Sequence, residues 1–413
     1  MKRIIIIMVA ILAFTSSASF QTIHVEKSNE ASREIASAGH FEIQWEKSYG
    51  KLWWWSARYE GPQPVGDADN DGMNELLIGG RDPILRVMKW NGNSYYEEAK
   101  IIDPVFGIGY GVWVHIGDNW FRMRQPFGSA TGFAIGDVDN DGKNEIGIAW
   151  GRHVSAFKWN GHAYKLMGRY IIIGKEEDGT TLDCIIGDAD NDGKNEFVVT
   201  GGYRNAPSLL VLTWDGSRFV EKASWWGHGD IYFPWIADVD NDGKNEVIVG
   251  DGSNLRILKW NGNGFNDILI DKFSGHQIFG CVAKDSNNDG IKEIHVTFDY
   301  PRLCIYRWNN GSYEKIYDKI WNGEDSTIEA IDVGNVDDDA MPEVAVGTNY
   351  VHVLQWNGSG YNEEYLINAT HGALAVTCIG DFDNDGKNEI NAANVWVDSD
   401  NEDYREWIFK YVS

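Results

Sequence analysis

Seven copies of a nine-residue acidic stretch, a β-branched run behind each copy, and a Trp leading into a tight turn in nearly every copy predict an all-β chain. The fold class they give is a seven-bladed β-propeller of four-stranded antiparallel blades, its ring closed by N- and C-terminal strands. The acidic stretches begin at Asp67, Asp137, Asp188, Asp238, Asp285, Asn335 and Asp381, at spacings of 70, 51, 50, 47, 50 and 46 residues. One unit is therefore near fifty residues, with a single long insertion between the first two.

Residues 1–19 read as a secretory signal peptide: Lys2 and Arg3 precede the apolar run Ile4 to Phe14, and the small residues of "TSSASF" suit cleavage. That run is well short of the roughly 20 residues needed to span a bilayer. A secreted or cell-surface protein is expected. Residues 20–39 show no strand pattern and are taken as an N-terminal tail, and the propeller is placed at 40–413. Within each unit an apolar run leads into the acidic stretch as strand A, and a run such as "EFVVTGG", "EVIVGDG" or "EVAVGT" follows as strand B. Strand C ends at the turn in "VMKWNG", "AFKWNG", "VLTWDG", "ILKWNG", "YRWNNG" and "VLQWNG". Strand D begins near Tyr95, Tyr164, Phe219, Phe265, Tyr313 and Tyr361. Asn-Gly and Asp-Gly predict two-residue type I′ hairpins, in which both central residues take φ > 0. The turn residues Trp90, Trp159, Trp214, Trp260, Trp308 and Trp356 are read as packing residues. The last unit stops at "EWIFKYVS", with Tyr411 in the Trp place and no strand D. Residues 40–55 supply the missing strand, which removes an exposed sheet edge.

The acidic stretch has the form D-x-D-x-D-G-x-x-E. At 67–75 the candidate ligands are Asp67, Asp69, Asp71, the Met73 carbonyl and Glu75; at 137–145 they are Asp137, Asp139, Asp141, Lys143 and Glu145. The third loop, 188–196, offers Asp188, Asp190, Asp192, Lys194 and Glu196, and the fourth, 238–246, Asp238, Asp240, Asp242, Lys244 and Glu246. The fifth, 285–293, has Asp285, Asn287, Asp289, Ile291 and Glu293. The sixth, 335–343, is the most altered, with Asn335, Asp337, Asp339, Met341 and Glu343, and Ala340 in place of the turn Gly. The seventh, 381–389, has Asp381, Asp383, Asp385, Lys387 and Glu389. Oxygen donors at positions one, three, five, seven and nine can wrap a hard cation, and Ca²⁺ accepts six to eight oxygens at about 2.3–2.6 Å. Without a cation, carboxylates this close repel one another. Position twelve of the second loop is Ile148 rather than Glu and a strand follows it, which sets these loops apart from the helix–loop–helix calcium hand. Up to seven Ca²⁺ are expected, with the sixth loop the weakest site.

"GDVDNDGKNE" and its relatives resemble the FG-GAP/VCBS repeat found in the propeller head of integrin α subunits and in secreted microbial proteins. The resemblance covers about residues 40–413 and implies Ca²⁺ on the A–B turn. The Phe-Gly and Gly-Ala-Pro marks are missing, so the VCBS form is closer, and the ninth position is Glu where the family commonly has Asp. Family members are mostly adhesion or ligand-binding modules, some of them parts of carbohydrate-active enzymes, so membership implies fold and metal more sharply than function.

The A–B loops and C–D turns share one face of a propeller, and the D–A and B–C loops share the other. That other set is rich in Trp, Tyr, Arg and His, a composition suited to binding. Candidate ligand-binding residues are Trp54, Trp113, His115, Trp120, Arg122, Trp225, His228 and Tyr232. Four of them lie in the long insertion before the second acidic loop. Aromatic faces stack on the C–H faces of sugars, with Arg and His adding directional hydrogen bonds. His228, His276 and His371 recur shortly before acidic loops, each beside a Gly, and are read as structural.

The chain has 62 Asp plus Glu against 36 Lys plus Arg, a net charge of −26. This excludes a nucleic-acid footprint, and insertion of the mature protein into a membrane is not expected. Much of the acidity belongs to the loops themselves, five with four carboxylates and two with three. Cys184, Cys281, Cys304 and Cys378 lie in apolar runs of different units, so no disulfide framework is expected. The favoured function is a ligand-binding or adhesion module for a glycan or an extracellular protein. A polysaccharide lyase or hydrolase and a protein–protein scaffold are the alternatives. No nucleophile motif points to catalysis, and no catalytic residue is named.

Overall fold

In the computed structural model the chain is described at residues 39–50, 62–79, 83–105, 111–116, 119–124, 128, 130–172, 181–202, 206–324, 331–368, 373–396 and 404–413. Residues 1–38, where the signal peptide and most of the tail are expected, and Trp54 lie outside these residues. The described chain contains strands and no helix. β1 is His40–Gly50. Blade 1 follows as β2 (Val65–Gly66), β3 (Glu75–Ile78), β4 (Leu85–Trp90) and β5 (Tyr95–Ile101). The hairpin β6 (Gly111–Ile116) and β7 (Asn119–Arg124) comes next. Blade 2 is β8 (Gly132–Gly136), β9 (Glu145–Ala149), β10 (His153–Trp159) and β11 (Tyr164–Ile171). Blade 3 is β12 (Thr181–Gly187), β13 (Glu196–Gly201), β14 (Leu209–Trp214) and β15 (Phe219–Trp225). Blade 4 is β16 (Trp235–Ala237), β17 (Glu246–Asp251), β18 (Asn254–Trp260) and β19 (Phe265–Lys272). Blade 5 is β20 (Ile278–Lys284), β21 (Glu293–Phe298), β22 (Arg302–Asn309) and β23 (Ser312–Ile320). Blade 6 is β24 (Ile331–Gly334), β25 (Glu343–Gly347), β26 (Val351–Trp356) and β27 (Tyr361–Ile367). Blade 7 is β28 (Ala373–Gly380), β29 (Glu389–Trp396) and β30 (Tyr404–Val412), completed by β1.

The seven four-stranded sheets are antiparallel meanders, and β1 pairs with β30 from His40↔Val412 to Gly50↔Tyr404. A seven-bladed β-propeller closed by strands from both chain ends is therefore the fold, as the repeat predicts. Its physical basis is visible in burial. Strand B of each blade is covered on both faces by neighbouring blades, so β9, β13, β17 and β21 are buried at every position. This is why strand B reads as a continuous β-branched run rather than an alternating one. Strand D faces outward, and β11 and β19 contain only exposed and half-buried positions.

The core is divided among the blade interfaces. Leu77, Leu85 and Val87 of blade 1 meet Phe133, Ile146 and Ile148 of blade 2, and Val154 and Ala156 of blade 2 meet Phe197 and Leu210 of blade 3. The inner strands surround a channel of about 260 Å³ lined by residues such as Val65, Ile135, Ile185, Val282 and Ile379. All four cysteines are buried and free, in line with the expectation.

The insertion between blades 1 and 2 contains the hairpin β6–β7, with Trp113 opposite Arg122 and His115 opposite Trp120. One expectation is corrected. The C–D turns are two-residue I′ hairpins only in blade 5, where Asn310 (φ 45°) and Gly311 (φ 110°) both take positive φ. In the others the Gly alone does so. In blade 2, for example, Asn160 precedes Gly161 and its Oδ1 accepts the N–H groups of His162 (3.1 Å) and Ala163 (3.0 Å). The Asn is then the first residue of a longer Asx-closed turn rather than a central one, because its side chain supplies the closing acceptor.

Candidate functional site

The acidic loops form one face. In the second loop Asp137 Oδ1 accepts the Asp141 N–H (2.9 Å) and its Oδ2 accepts that of Gly142 (2.7 Å). The Lys143 N–H donates to Asp141 Oδ1 (3.1 Å). Loops 1, 3, 4, 5 and 7 repeat this pattern, including the position-seven N–H of Met73, Lys194, Lys244, Ile291 and Lys387. The fourth residue sits left-handed in six loops (Asn70, Asn140, Asn191, Asn241, Asn288 and Asn384), followed two residues later by Gly at φ 84–92°. Loop 6 departs from this: neither Asp338 nor Ala340 takes positive φ, and Asn335 Nδ2 donates to the Asp339 carbonyl. Met341 still donates its N–H to Asp339.

The ninth residue is buried in all seven loops. One of its oxygens always accepts the N–H of the second residue, from Glu75 to Ala68 (2.9 Å) around to Glu389 to Phe382 (3.0 Å). In blades 1, 2, 3, 4 and 7 the other lies within 3.1 Å of a lysine ammonium. Lys89 Nζ lies 2.9 Å from Asp69, 2.7 Å from Asp71 and 2.7 Å from Glu75. Lys158 stands 2.8, 2.6 and 2.8 Å from Asp139, Asp141 and Glu145. Lys259 is 2.5, 3.1 and 3.1 Å from Asp240, Asp242 and Glu246, and Lys410 is 2.5, 2.7 and 2.8 Å from Asp383, Asp385 and Glu389. In blade 3 the position before Trp214 is Thr213, and Lys222 reaches in from β15 to Asp190, to Asp192 (2.9 Å) and to Glu196 (3.0 Å). Arg307 pairs with Asp289 in blade 5, where Asn287 Nδ2 donates to Glu293 (2.7 Å). Blade 6 has Gln355, whose amide donates to Asp339 (2.8 Å) and Glu343 (3.1 Å).

Burial pushes the ninth-position carboxyls up, Glu75, Glu293 and Glu389 to about 7 and Glu343 to about 8. Burial also works against the charge on Lys89, but hydrogen bonds to Asp69, Asp71 and Glu75 outweigh it and hold the ammonium above its usual range.

A second network joins loop to loop. Asn70 Oδ1 accepts the Asn144 N–H (2.7 Å) of the next blade, and Asn144 Nδ2 donates to the Asp67 carbonyl (2.8 Å). The same exchange links Asn140 to Asn195, Asn191 to Asn245 and Asn384 to Asn74. It lapses where the eighth residue is Lys292 or Pro342. The sequence signal was the Asn at positions four and eight of the repeat.

On the opposite face, Trp226 is 58% exposed, whereas its neighbour Trp225 packs against the core between blades 3 and 4. Trp225 is thus partly a packing residue. The side chain of His228 is 74% exposed and its Nδ1 lies 3.3 Å from buried Asp251, which also accepts from Arg256 (3.0 Å). His276 is held by Asp299 (3.1 Å) with its ring 4.0 Å from that of Tyr300. Tyr232 lies against Phe279, with 4.4 Å between ring centroids. His371 lies outside the described residues, and Trp113, His115, Trp120 and Arg122 are placed by backbone register on β6 and β7. Sequence reasoning missed His352, buried between Glu324 (3.1 Å) and Glu363 (2.5 Å). The six turn Trp residues pack on the aromatic that opens strand D, from Trp90–Tyr95 (4.7 Å) to Trp260–Phe265 (5.3 Å), as packing residues should.

Residues 238–296, which hold the fourth and fifth acidic loops, match the family model of the FG-GAP-like repeat. No curated protein matches the chain. The crystal structure of BBS1N in complex with ARL6DN aligns with a TM-score of 0.57 and 12% identity, covering 90% of this chain and 96% of that one. The β-propeller domain of Cps50 (Swd1) from Myceliophteria thermophila aligns with a TM-score of 0.53 and 9% identity, covering 89% and 100%. The class defined by fold and loops is the β-propeller. More particularly, this is a β-propeller carrying an FG-GAP-like repeat.

FG-GAP repeats often bind Ca²⁺, and the acidic clusters such a site needs are present, for example Asp137, Asp139 and Glu145. The donors suit a hard cation by type and spacing. The space does not, because in six of the loops a Lys or Arg side chain stands among the same carboxylates.

Proposed function

We propose that this propeller is a secreted or cell-surface binding module that docks an extracellular protein or a glycan on the face opposite the acidic loops. The observation that carries the reading is Trp226, a large aromatic left 58% exposed beside the solvent-facing His228. Exposed Trp on a rigid frame is the usual anchor of a recognition surface. The β6–β7 hairpin, with Trp113, His115, Trp120 and Arg122 in register, adds a second candidate contact on the chain between blades 1 and 2. Export is supported by the charged and apolar pattern of residues 1–19. That a propeller such as BBS1N is held in a complex with ARL6DN makes a protein ligand the first class to test. Up to seven Ca²⁺ would accompany this function only if calcium displaced the basic side chains already seated in the loops.

The test is a binding screen of the purified chain against glycan arrays and extracellular protein libraries, with the supernatants assayed for released oligosaccharide. Binding that Trp226→Ala weakens tenfold or more, about 1.4 kcal/mol, supports the reading. Binding unaffected by Trp226→Ala and His228→Ala would move the site elsewhere, and released product would make the protein an enzyme.

A further inference from the structure

We infer that the acidic loops are neutralised from within: a lysine or arginine of the same blade takes the place of the loop cation, so the propeller holds together without calcium. Three features of the loops carry this.

The first is valence. A lysine ammonium has three N–H donors and no acceptor, and each of the five lysines meets three carboxylates, those at positions three, five and nine. The remaining Asp at position one already accepts two backbone N–H groups, as Asp137 does from Asp141 and Gly142. The ninth-position oxygens Glu75 Oε1 and Glu145 Oε1 accept no hydrogen bond and are met by the ammonium as ion pairs, at 2.7 and 2.8 Å.

The second is that the basic group is kept although its origin changes. In blades 1, 2, 4, 5 and 7 it is the residue before the Trp or Tyr at or next to the end of strand C. Blade 3 has Thr213 there, and the ammonium comes from Lys222, the bulged residue of strand D, where the register slips between Val211↔Ala223 and Leu212↔Glu221. Two strands thus deliver the same charge to the same three acids. A solvated surface lysine has no reason to be replaced from another strand.

The third is that the ninth-position Glu is buried, and a buried carboxylate needs a partner. A calcium ion would claim the oxygens that Lys158 and its equivalents already hold, and two cations about 3 Å apart repel strongly. Calcium and lysine therefore exclude each other. Blade 6 is the natural control: there a neutral amide, Gln355, meets Asp339 and Glu343.

The experiment compares the full chain, stripped of metal, in EDTA and in calcium chloride by differential scanning fluorimetry and by calorimetric titration with calcium chloride. The expected result is one melting temperature in both conditions and no calcium site tighter than about 1 mM, the weak end for such loops. The variant Lys158→Gln/Lys259→Gln copies the amide that blade 6 tolerates. It is expected to melt several degrees lower in EDTA, to recover in calcium, and to gain calcium sites. The inference falls if the wild-type chain loses several degrees in EDTA and binds several calcium ions with micromolar affinity. It falls equally if the Gln variant responds to calcium no differently from wild type. Should the variant fail to fold, the wild-type titration alone decides.

Discussion

The glutamate at the ninth loop position shows how one methylene group can set a local design. Its longer side chain lets one oxygen reach back to the second N–H, as Glu145 does to Val138 at 3.0 Å, while the other meets Lys158 at 2.8 Å. Aspartate cannot span both. Glu145→Asp is expected to cost about 1–2 kcal/mol by leaving one buried group unpaired, read as a lower urea midpoint. Lys89 is the least exposed of the loop lysines, its side chain only 10% accessible, so Lys89→Met strands Glu75 and Asp69. A loss of about 3 kcal/mol is expected from chemical denaturation, because removing one partner of a buried ion pair is costlier than the pair is valuable. The carboxylates of these loops were legible in the sequence because they lie within nine residues. Their lysines were not, since Lys89 is 20 positions from Asp69 and Lys222 is 30 from Asp192. The "KW" pair is plain in the sequence, but only strand pairing turns it toward the acids.

At the scale of elements, strand order and closure followed from the hydrophobic runs, because the burial of strand B on both faces leaves a direct mark on composition. Turn type did not follow. Asn-Gly marks a hairpin, yet whether Asn stands inside the turn or at its start depends on where the preceding strand stops, and the dipeptide carries no record of that. Gly161 has φ 91°, and no atom lies within 4 Å of where a Cβ would stand, so strain and not crowding sets the cost of a side chain there. Gly161→Ala is expected to lower stability by about 1 kcal/mol, measured by thermal melting, with no change in ring architecture by circular dichroism. On the aromatic face, Trp225 and Trp226 are alike as letters. Strand β15 ends between them, which sends the first inward and leaves the second in solvent.

For the whole molecule, the seam between β1 and β30 is the decisive interface. Glu406 lies buried there opposite Lys47, and burial pushes its carboxyl from an ordinary 4.5 to about 8, with the Asn391 amide (3.2 Å) working the other way. The folded ring therefore holds a proton that the unfolded chain releases above 4.5. Stability from this group is full below that pH and is lost as pH rises toward 8. Urea midpoints for the wild type are expected to fall between pH 5.5 and 8.5, and Glu406→Gln should flatten part of that slope. An equal slope in the variant would assign the effect to other acids. Removing residues 39–50 is expected to leave the β30 edge unpaired, and size-exclusion chromatography should then show association.

Closure also dictates a sequence of events in synthesis. β1 is the first strand of the ring to be made, and its partner β30 is the last. At roughly 5–20 residues per second, β1 waits about 20–70 s, carrying Phe41 and Ile43 with no sheet to join. Blades 1 to 6 can assemble in that interval, but the seventh cannot. A chain cut short before residue 404 has no strand to receive β1, so an unfinished copy stays open with a sticky edge. The ring thereby checks its own last strand: only a chain made through β30 can hide β1.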